Sequence, residues 1–143
     1  MIIITILIKF LLTLALSIIT LIHLYWLLGG KKGLDAALPH DISTIEKNLS
    51  NVSIISLNIC MLFPVIGVFS LLLLSLYDVI LVPYKNGIHL VFSLVFITRG
   101  LTGWIINRFS NKEIFRKNNN KIYSPTALLI GISLLFLYYQ DPG

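Results

Sequence analysis

Charged residues are scarce in this chain: only 12% of its 143 residues are Asp, Glu, Lys or Arg. Soluble globular domains carry about 25% charged residues, so the shortage argues against a water-soluble protein. Apolar residues make up 57% of the sequence and the mean hydropathy is +0.91, which favours an integral membrane protein. Acidic residues are fewer than basic ones, and the net charge of +5 is more typical of basic loops facing anionic lipid than of a nucleic-acid binder.

The sequence has only one cysteine and none of the common catalytic motifs. The single cysteine, Cys60, excludes an intramolecular disulfide and a cysteine-built metal site. The sequence contains no Gly-rich phosphate loop, no H-E-x-x-H pattern, no carboxylate pair and no nucleophile motif. It therefore predicts neither a cofactor nor a metal centre, and it favours a protein without catalytic activity.

Long apolar runs, by contrast, are abundant, and four of them approach the ~20 residues that a helix needs to cross the hydrocarbon core. The first is predicted to remain as a membrane helix, because it exceeds the ~7–15 residues of a signal-peptide core and no A-x-A cleavage pattern follows. The chain is thus predicted to be all-α, a single integral membrane domain over residues 1–143, folded as a four-transmembrane-helix bundle with short loops. The predicted spans cover residues 6–28, 52–77, 88–106 and 123–139.

Basic residues are distributed unevenly around these spans. The first and third linkers together hold Lys31, Lys32, Lys47, Arg108, Lys112, Arg116, Lys117 and Lys121. The opposite side holds only Lys9 and Lys85. By the positive-inside rule, the first and third linkers face the cytoplasm and both termini face outward. The third linker is expected to be a solvated loop, with a short helix on the headgroups as the alternative.

Small and weakly polar residues recur at helical spacing within the predicted spans. The stripe on span three consists of His89, Ser93, Gly100, Gly103 and Asn107, and that on span four of Ser124, Ala127 and Gly131. Such stripes let helix backbones approach closely in lipid, so they are predicted to be packing seams. A polar-lined pathway between the helices is the alternative.

Three short elements occur in a recognisable order: HLYWLLGG at 23–30, FITRG at 96–100 and YSPTALLIG at 123–131, with Pro39 after the first. Together they resemble a bacterial family of small membrane proteins catalogued as domain of unknown function 3995. The resemblance extends from span one to span four and implies the four-span architecture, but the family brings no established activity. Its pattern has an acidic residue shortly before Tyr-Ser-Pro, where this chain has the asparagines 118–120.

These elements converge at the predicted cytoplasmic side and form a candidate ligand-binding site, which consists of His23, Tyr25, Trp26, Arg99, Tyr123 and Ser124. The depths of His23 and Arg99 agree within about 3 Å at a rise of 1.5 Å per residue. An ionisable residue inside a span is costly, so it marks a functional site by default. The planar fork of Arg99 suits a lipid phosphate or an acidic metabolite.

Structural roles for the same residues stay open beside the functional ones. Arg99 is also suited to snorkel to the interface or to pair with an acidic residue of the first linker, and His23 to act as a hydrogen-bonded packing residue. Tyr25 and Trp26 suit the membrane interface, and Gly29 and Gly30 are predicted to end the helix in a left-handed turn.

Functions from different classes fit this architecture. The favoured one is a non-catalytic bundle that acts as a partner or accessory subunit, as a homo-oligomer or with another membrane protein. The alternative is a small membrane enzyme or carrier whose cytoplasmic-side pocket around His23 and Arg99 binds an anionic or lipid ligand; a transporter or channel along span one is a third. In each case we expect a multi-pass protein of the bacterial inner membrane, with anionic lipid headgroups and no nucleic acid as partners.

Overall fold

The computed structural model describes residues 2–38, 74–77 and 82–140. The regular elements in these ranges are the helices α1 (Ile2–Leu27), α2 (Leu34–Ala37), α3 (Val82–Ile106), α4 (Glu113–Asn118) and α5 (Ser124–Gln140). A 3₁₀ turn, Asn107–Phe109, ends α3, and a π-helical segment, Asn119–Tyr123, connects α4 to α5 without a break. No strand occurs in the described ranges, so the all-α prediction is confirmed.

Three helices of the described part are long and apolar enough to cross a bilayer: Ile2–Leu27, Tyr84–Phe109 and Glu113–Gln140. They contain most or all of the first, third and fourth predicted spans. The predicted second span, 52–77, lies outside the described residues apart from 74–77, where Ser75 and Leu76 are buried. A bundle of four spans therefore stays a prediction, whereas three helices with the length and apolar character of membrane spans are present in the described part.

The third linker is not the solvated loop that the sequence suggested. Its residues from Glu113 onward are helical and continue into α5. Phe115 is only 2% exposed, so burial of its ring holds α4 against the rest of the protein. Glu113 occupies the first turn, where the helix dipole favours a negative charge. Phe115 is an apolar residue inside this basic stretch, and its burial favours a packed helix over a solvated loop. As a result, the last long apolar helix begins at Glu113 rather than near Tyr123.

The ends of the described helices group at two opposite sides of the protein. Residues from the start of α1, the start of α3 and the end of α5 line one cavity, so α1 and α3 run in the same direction and α5 runs against them. We call this side the terminal end. At the other side, α2 packs against α4, which brings together the residues after α1 and those after α3. We call it the loop end, and it is the side predicted to be cytoplasmic.

The tightest helix contact in the described part joins α3 to α5. A β-carbon on Gly100 would overlap Leu128, and one on Gly131 would overlap Ile97. The two stripes predicted from helical spacing thus pack on each other, which agrees with their interpretation as packing seams. We define the α3–α5 seam by its small residues: Ser93, Gly100, Gly103, Ser124, Ala127 and Gly131.

A larger apolar core surrounds this seam and extends to α1. It is formed by Leu12, Leu16, Leu76, Phe92, Ile130, Leu134 and Leu137. Many other apolar side chains on the membrane helices are exposed, as is required of surfaces that contact lipid tails. The helices α3 and α5 are therefore held together in two ways: by close backbone contact at their small residues and by the apolar side chains around them.

One hydrogen bond crosses the middle of the seam and supplies a first testable prediction. The Ser93 hydroxyl donates to the Gly131 carbonyl at 2.8 Å, and Ser93 is fully buried. We expect Ser93→Ala to lower the free energy of unfolding in detergent by about 0.6 kcal/mol, the average for such bonds in membranes. Thr102→Val is the matched control, because the Thr102 hydroxyl donates to Thr98 of its own helix. Equal losses from the two variants would contradict an interhelical role for Ser93.

Candidate functional site

Tyr25 and Trp26 organise the end of α1. The Trp26 indole N–H donates to the Lys32 carbonyl at 3.1 Å, and the Lys32 N–H donates to the Tyr25 hydroxyl at 3.4 Å. Gly29 has φ of +92°, so the predicted left-handed turn is present there and requires a residue without a side chain. Gly30 lies against the Tyr25 ring, where a β-carbon would overlap it. These aromatic residues close the turn that follows α1.

His23 is engaged with its own helix. Its Nδ1 lies 2.8 Å from the Ile19 carbonyl oxygen, and its ring lies edge-on to Trp26 with centroids 5.3 Å apart. Because a carbonyl oxygen only accepts, the Nδ1–H of His23 is the donor in this hydrogen bond. Within the residues that the structure describes, no hydrogen bond or ring contact joins His23 to Arg99.

Arg99 lies inside the membrane-spanning helix Tyr84–Phe109, and its guanidinium extends toward the loop end. Nη1 is 2.8 Å from the point where a β-carbon of Gly103 would lie, one turn further along α3. Nη2 donates to the Asn119 side-chain oxygen at 3.4 Å. The missing side chain at Gly103 therefore provides the space in which the guanidinium reaches the chain segment between α4 and α5.

Asn119 is the centre of this arrangement and is fully buried. Its amide nitrogen donates to the Gly103 carbonyl at 2.6 Å and to the Asn107 side-chain oxygen at 2.9 Å. Its oxygen accepts from Arg99 and from the Ser124 hydroxyl, the latter at 3.3 Å. Both donors and both acceptor positions of the amide are used, which fixes its orientation. We call Arg99, Asn107, Asn119 and Ser124, with the Gly103 carbonyl, the Arg99 network.

The π-helical segment explains why Ser124 reaches Asn119. In an α-helix, residues five apart differ by about 140° around the axis and do not face each other. The i→i+5 hydrogen bonds of a π-helix bring such residues into alignment. Asn119–Tyr123 has this geometry, and the Ser124 hydroxyl donates to Asn119 at that spacing. Single π turns inside helices occur frequently at functional sites.

The predicted site residues divide into two groups. Arg99 and Ser124 meet at Asn119, whereas His23, Tyr25 and Trp26 make their described contacts within and just after α1. Tyr123 lies half-buried in the π-helical segment.

The sequence prediction missed the residue that joins Arg99 to Ser124. The sequence pattern predicts a loop at Asn119, although Asn119 lies five residues before Ser124 and Asn107 belongs to the stripe of span three. The recurrence of asparagine on both sides of a predicted interhelical turn was the available signal, because buried amides pair with each other across helices.

The charge of Arg99 has no described counter-charge. Glu113 is the only acidic residue whose side chain the structure describes, and it is exposed on α4. In the described ranges Arg99 makes one side-chain hydrogen bond, so four of its five N–H donors have no protein acceptor there. The described residues also contain no group of three His, Cys, Asp or Glu side chains that would hold a metal ion.

A family model described as "Protein of unknown function (DUF3995)" matches residues 16–134 of the chain. The chain belongs to this family. The matched range contains all of the Arg99 network, the turn after α1, all of Tyr84–Phe109, most of Glu113–Gln140 and a little under half of Ile2–Leu27. No curated protein and no solved structure matches the chain. The match confirms the family predicted from the sequence and assigns no activity.

Proposed function

We propose that this protein is a non-catalytic helical membrane protein that binds the phosphate headgroup of an anionic lipid through Arg99. One observation carries the proposal. Asn119 holds the Arg99 guanidinium from one side, and the exposed remainder of that guanidinium has no described acceptor in a membrane-spanning helix. A planar group with several free N–H donors in fixed geometry is suited to bind phosphate oxygens in pairs.

The depth of the guanidinium favours a headgroup as the occupant. It lies at the level of Gly103, six residues or about 9 Å along the helix axis from Phe109. A helix of 26 residues extends about 39 Å, longer than the ~30 Å hydrocarbon core, so this level is close to the headgroup boundary. Lipid phosphate is the most abundant anion at such a depth.

The surrounding charges also support an anionic lipid. Arg108, Arg116, Lys117 and Lys121 are exposed at the loop end, the same side as the Arg99 guanidinium. Each basic residue near the surface contributes about 1 kcal/mol of attraction to an anionic leaflet. The exposed cations would concentrate such lipids, and Arg99 would select their phosphate by geometry.

The orientation of the protein follows the same charges. The two basic residues predicted for the outer side, Lys9 and Lys85, line a partly open cavity, and Lys85 is only 4% exposed. They are therefore poor examples of the loop charges that the positive-inside rule counts. This supports an orientation in which the loop end lies on the cytoplasmic side of a bacterial inner membrane.

Within the described residues, the Arg99 network does not contain the groups that a catalytic serine requires. A serine nucleophile requires a base that accepts its proton, but the Ser124 hydroxyl donates to an amide oxygen, and His23 is hydrogen-bonded to Ile19. A role as partner or accessory subunit, with the bound lipid as part of the assembly, agrees with this chemistry better than an enzyme or carrier pocket around His23 and Arg99.

The test is retention of added lipids by the full-length protein in mild detergent, measured by native mass spectrometry. We expect preferential retention of phosphatidylglycerol over phosphatidylcholine, and an affinity for phosphatidylglycerol at least about tenfold lower in Arg99→Gln, because charge-assisted hydrogen bonds contribute about 1.5–3 kcal/mol. Arg99→Lys should show an intermediate affinity, since a lysine offers a point charge without the planar fork.

Arg108→Gln is the matched control, because it removes the same charge from an exposed position at the end of the same helix. It should change the affinity by less than twofold. Equal retention of the two lipids by the unaltered protein, or equal losses in Arg99→Gln and Arg108→Gln, would refute the headgroup site. The copy number in the same spectra tests self-association independently.

A further inference from the structure

The side-chain hydrogen bonds of the Arg99 network run in one direction, which the Gly103 carbonyl sets. A carbonyl oxygen only accepts, so the NH₂ group of Asn119 faces Gly103, and the same NH₂ group donates to the side-chain oxygen of Asn107. The NH₂ group of Asn107 therefore lies on the far side of its amide, where it donates to the side-chain oxygen of Asn120. Each amide is thus oriented by the one before it.

Asn120 is the outer end of this chain of amides. Asn107 and Asn119 are buried, whereas Asn120 is exposed. Because the Asn120 oxygen accepts from Asn107, its NH₂ group is left to face outward. In the described part of the protein this NH₂ group has no acceptor. Asn120 therefore adds an exposed donor next to Asn119, the residue that holds the Arg99 guanidinium.

The exposed edge of the network consists of N–H groups, because its oxygens are turned into the protein. The Asn119 oxygen accepts from Arg99 and from the Ser124 hydroxyl, and both Asn119 and Ser124 are fully buried. The Asn107 oxygen accepts from Asn119 and is buried as well. An edge of this kind favours a ligand with many acceptor oxygens over one that donates hydrogen bonds, such as an ammonium headgroup.

Phosphate groups differ in how many acceptors they offer to such an edge. A phosphomonoester has three terminal oxygens and a charge of about −1.5 to −2 at pH 7, whereas a phosphodiester has two terminal oxygens and a single negative charge. A paired contact with a guanidinium uses two oxygens. The third oxygen of a monoester is then available to Asn120, but in a diester that position carries the rest of the headgroup.

We infer that the Arg99 network selects a phosphomonoester over a phosphodiester. The Arg99 guanidinium holds two of the oxygens, and the Asn120 NH₂ group donates to the third. This inference rests on the proposed headgroup site and names the class of phosphate that occupies it. Phosphatidic acid is the simplest membrane lipid that carries such a group, and glycerol 3-phosphate carries the same group in water.

The experiment compares phosphatidic acid, phosphatidylglycerol and phosphatidylcholine in native mass spectra of the full-length protein in mild detergent. We expect the affinity for phosphatidic acid to exceed that for phosphatidylglycerol by at least about tenfold, since one further charge-assisted hydrogen bond forms. Asn120→Ala should lower this ratio about tenfold and leave retention of phosphatidylglycerol nearly unchanged, because only the donor to the third oxygen is lost. Asn120 is exposed, so the variant should fold normally.

Asn111→Ala is the matched control, because it removes an exposed amide from the connection between α3 and α4 and should leave the ratio unchanged. Asn120→Asp keeps the acceptor for Asn107 but replaces the outward donor with a charged acceptor, so the ratio should fall further than in Asn120→Ala. Equal changes of the ratio in Asn111→Ala and Asn120→Ala would show that Asn120 is not a ligand of the phosphate.

The three lipids separate failure of monoester selection from failure of the headgroup site. Equal retention of phosphatidic acid and phosphatidylglycerol, both above phosphatidylcholine, would overturn monoester selection and leave the headgroup site in place. Equal retention of all three lipids would remove the headgroup site and the selection with it. Displacement of phosphatidic acid by glycerol 3-phosphate at equal concentration would support monoester selection but show a water-soluble occupant, which would contradict the proposed function alone.

Discussion

Replacing Gly103 with alanine is expected to lower the free energy of unfolding by about 1–3 kcal/mol, the range for overpacking a tight interior. The added β-carbon would overlap the Ser124 hydroxyl and lie 2.8 Å from Nη1 of Arg99. Ser124 is fully buried on the facing helix, so α3 and α5 must separate or the hydroxyl must rotate away from Asn119. Either response also displaces the guanidinium, so retention of phosphatidylglycerol should fall together with stability.

Gly87→Ala provides the control for this prediction. Gly87 lies in the same helix, and a β-carbon there would have no heavy atom within 4 Å. Alanine at that position should be neutral or stabilise the helix by up to about 1 kcal/mol, because glycine is the poorer helix former. Unfolding in a denaturing detergent, followed by circular dichroism, measures both variants. If Gly103→Ala is as stable as Gly87→Ala, the close approach of α3 and α5 at Gly103 is wrong.

Replacing Asn119 with alanine is expected to lower the free energy of unfolding by about 2 kcal/mol. Three of the four hydrogen bonds of Asn119 go to α3 and the turn that ends it, and bonds between membrane helices average about 0.6 kcal/mol each. The Gly103 carbonyl and the Asn107 oxygen would also lose a buried partner, which adds to the cost. Arg99 would lose its described acceptor, so its guanidinium should become less ordered.

Asn111→Ala is the control, because Asn111 is an exposed amide in the short connection between α3 and α4. It should be neutral in the same unfolding measurement. Asn119→Asp separates two effects: a carboxylate still accepts from Arg99 and Ser124 but no longer donates to the Gly103 carbonyl. Its charge would also neutralise the guanidinium, so phosphatidylglycerol retention should fall as far as in Arg99→Gln. Retention at the unaltered level in Asn119→Asp would contradict the role of Arg99 as the phosphate ligand.

Much of the α3–α5 contact was predictable from residue spacing. Ser93, Gly100 and Gly103 lie on one side of a helix at 100° per residue, and Gly131 marks the matching side of α5. In lipid, such small residues have one common use, which is close packing of backbones. The pattern therefore predicted a packing seam on each helix, and the structure shows that these two seams contact each other, with a hydrogen bond from the Ser93 hydroxyl to the Gly131 carbonyl.

The Arg99 network was predictable only in part. The sequence identifies Arg99 as a candidate because a charge inside a span is costly, and Ser124 because it lies in the Tyr-Ser-Pro motif. Asn119 is not identified in this way, because its role depends on a π-helical segment that changes the angular position of neighbouring side chains. A fixed spacing of 100° per residue assumes an α-helix throughout, so no periodicity argument places Asn119 beside Ser124. The depths predicted for His23 and Arg99 agree, but depth along the membrane normal gives no information about position around the bundle.

The sequence by itself determined that this protein is a helical membrane protein with a basic loop end, because apolar run length and charge placement report directly on transfer into lipid. It also determined the family and the small-residue stripes. Only the tertiary structure decided which polar groups meet. The contact of Arg99 with Asn119 depends on the π-helical segment, which changes the helical pitch locally. The position of Lys9 and Lys85 in one cavity depends on how α1 and α3 are rotated about their axes. Those quantities result from the packing of the whole bundle rather than from any single segment.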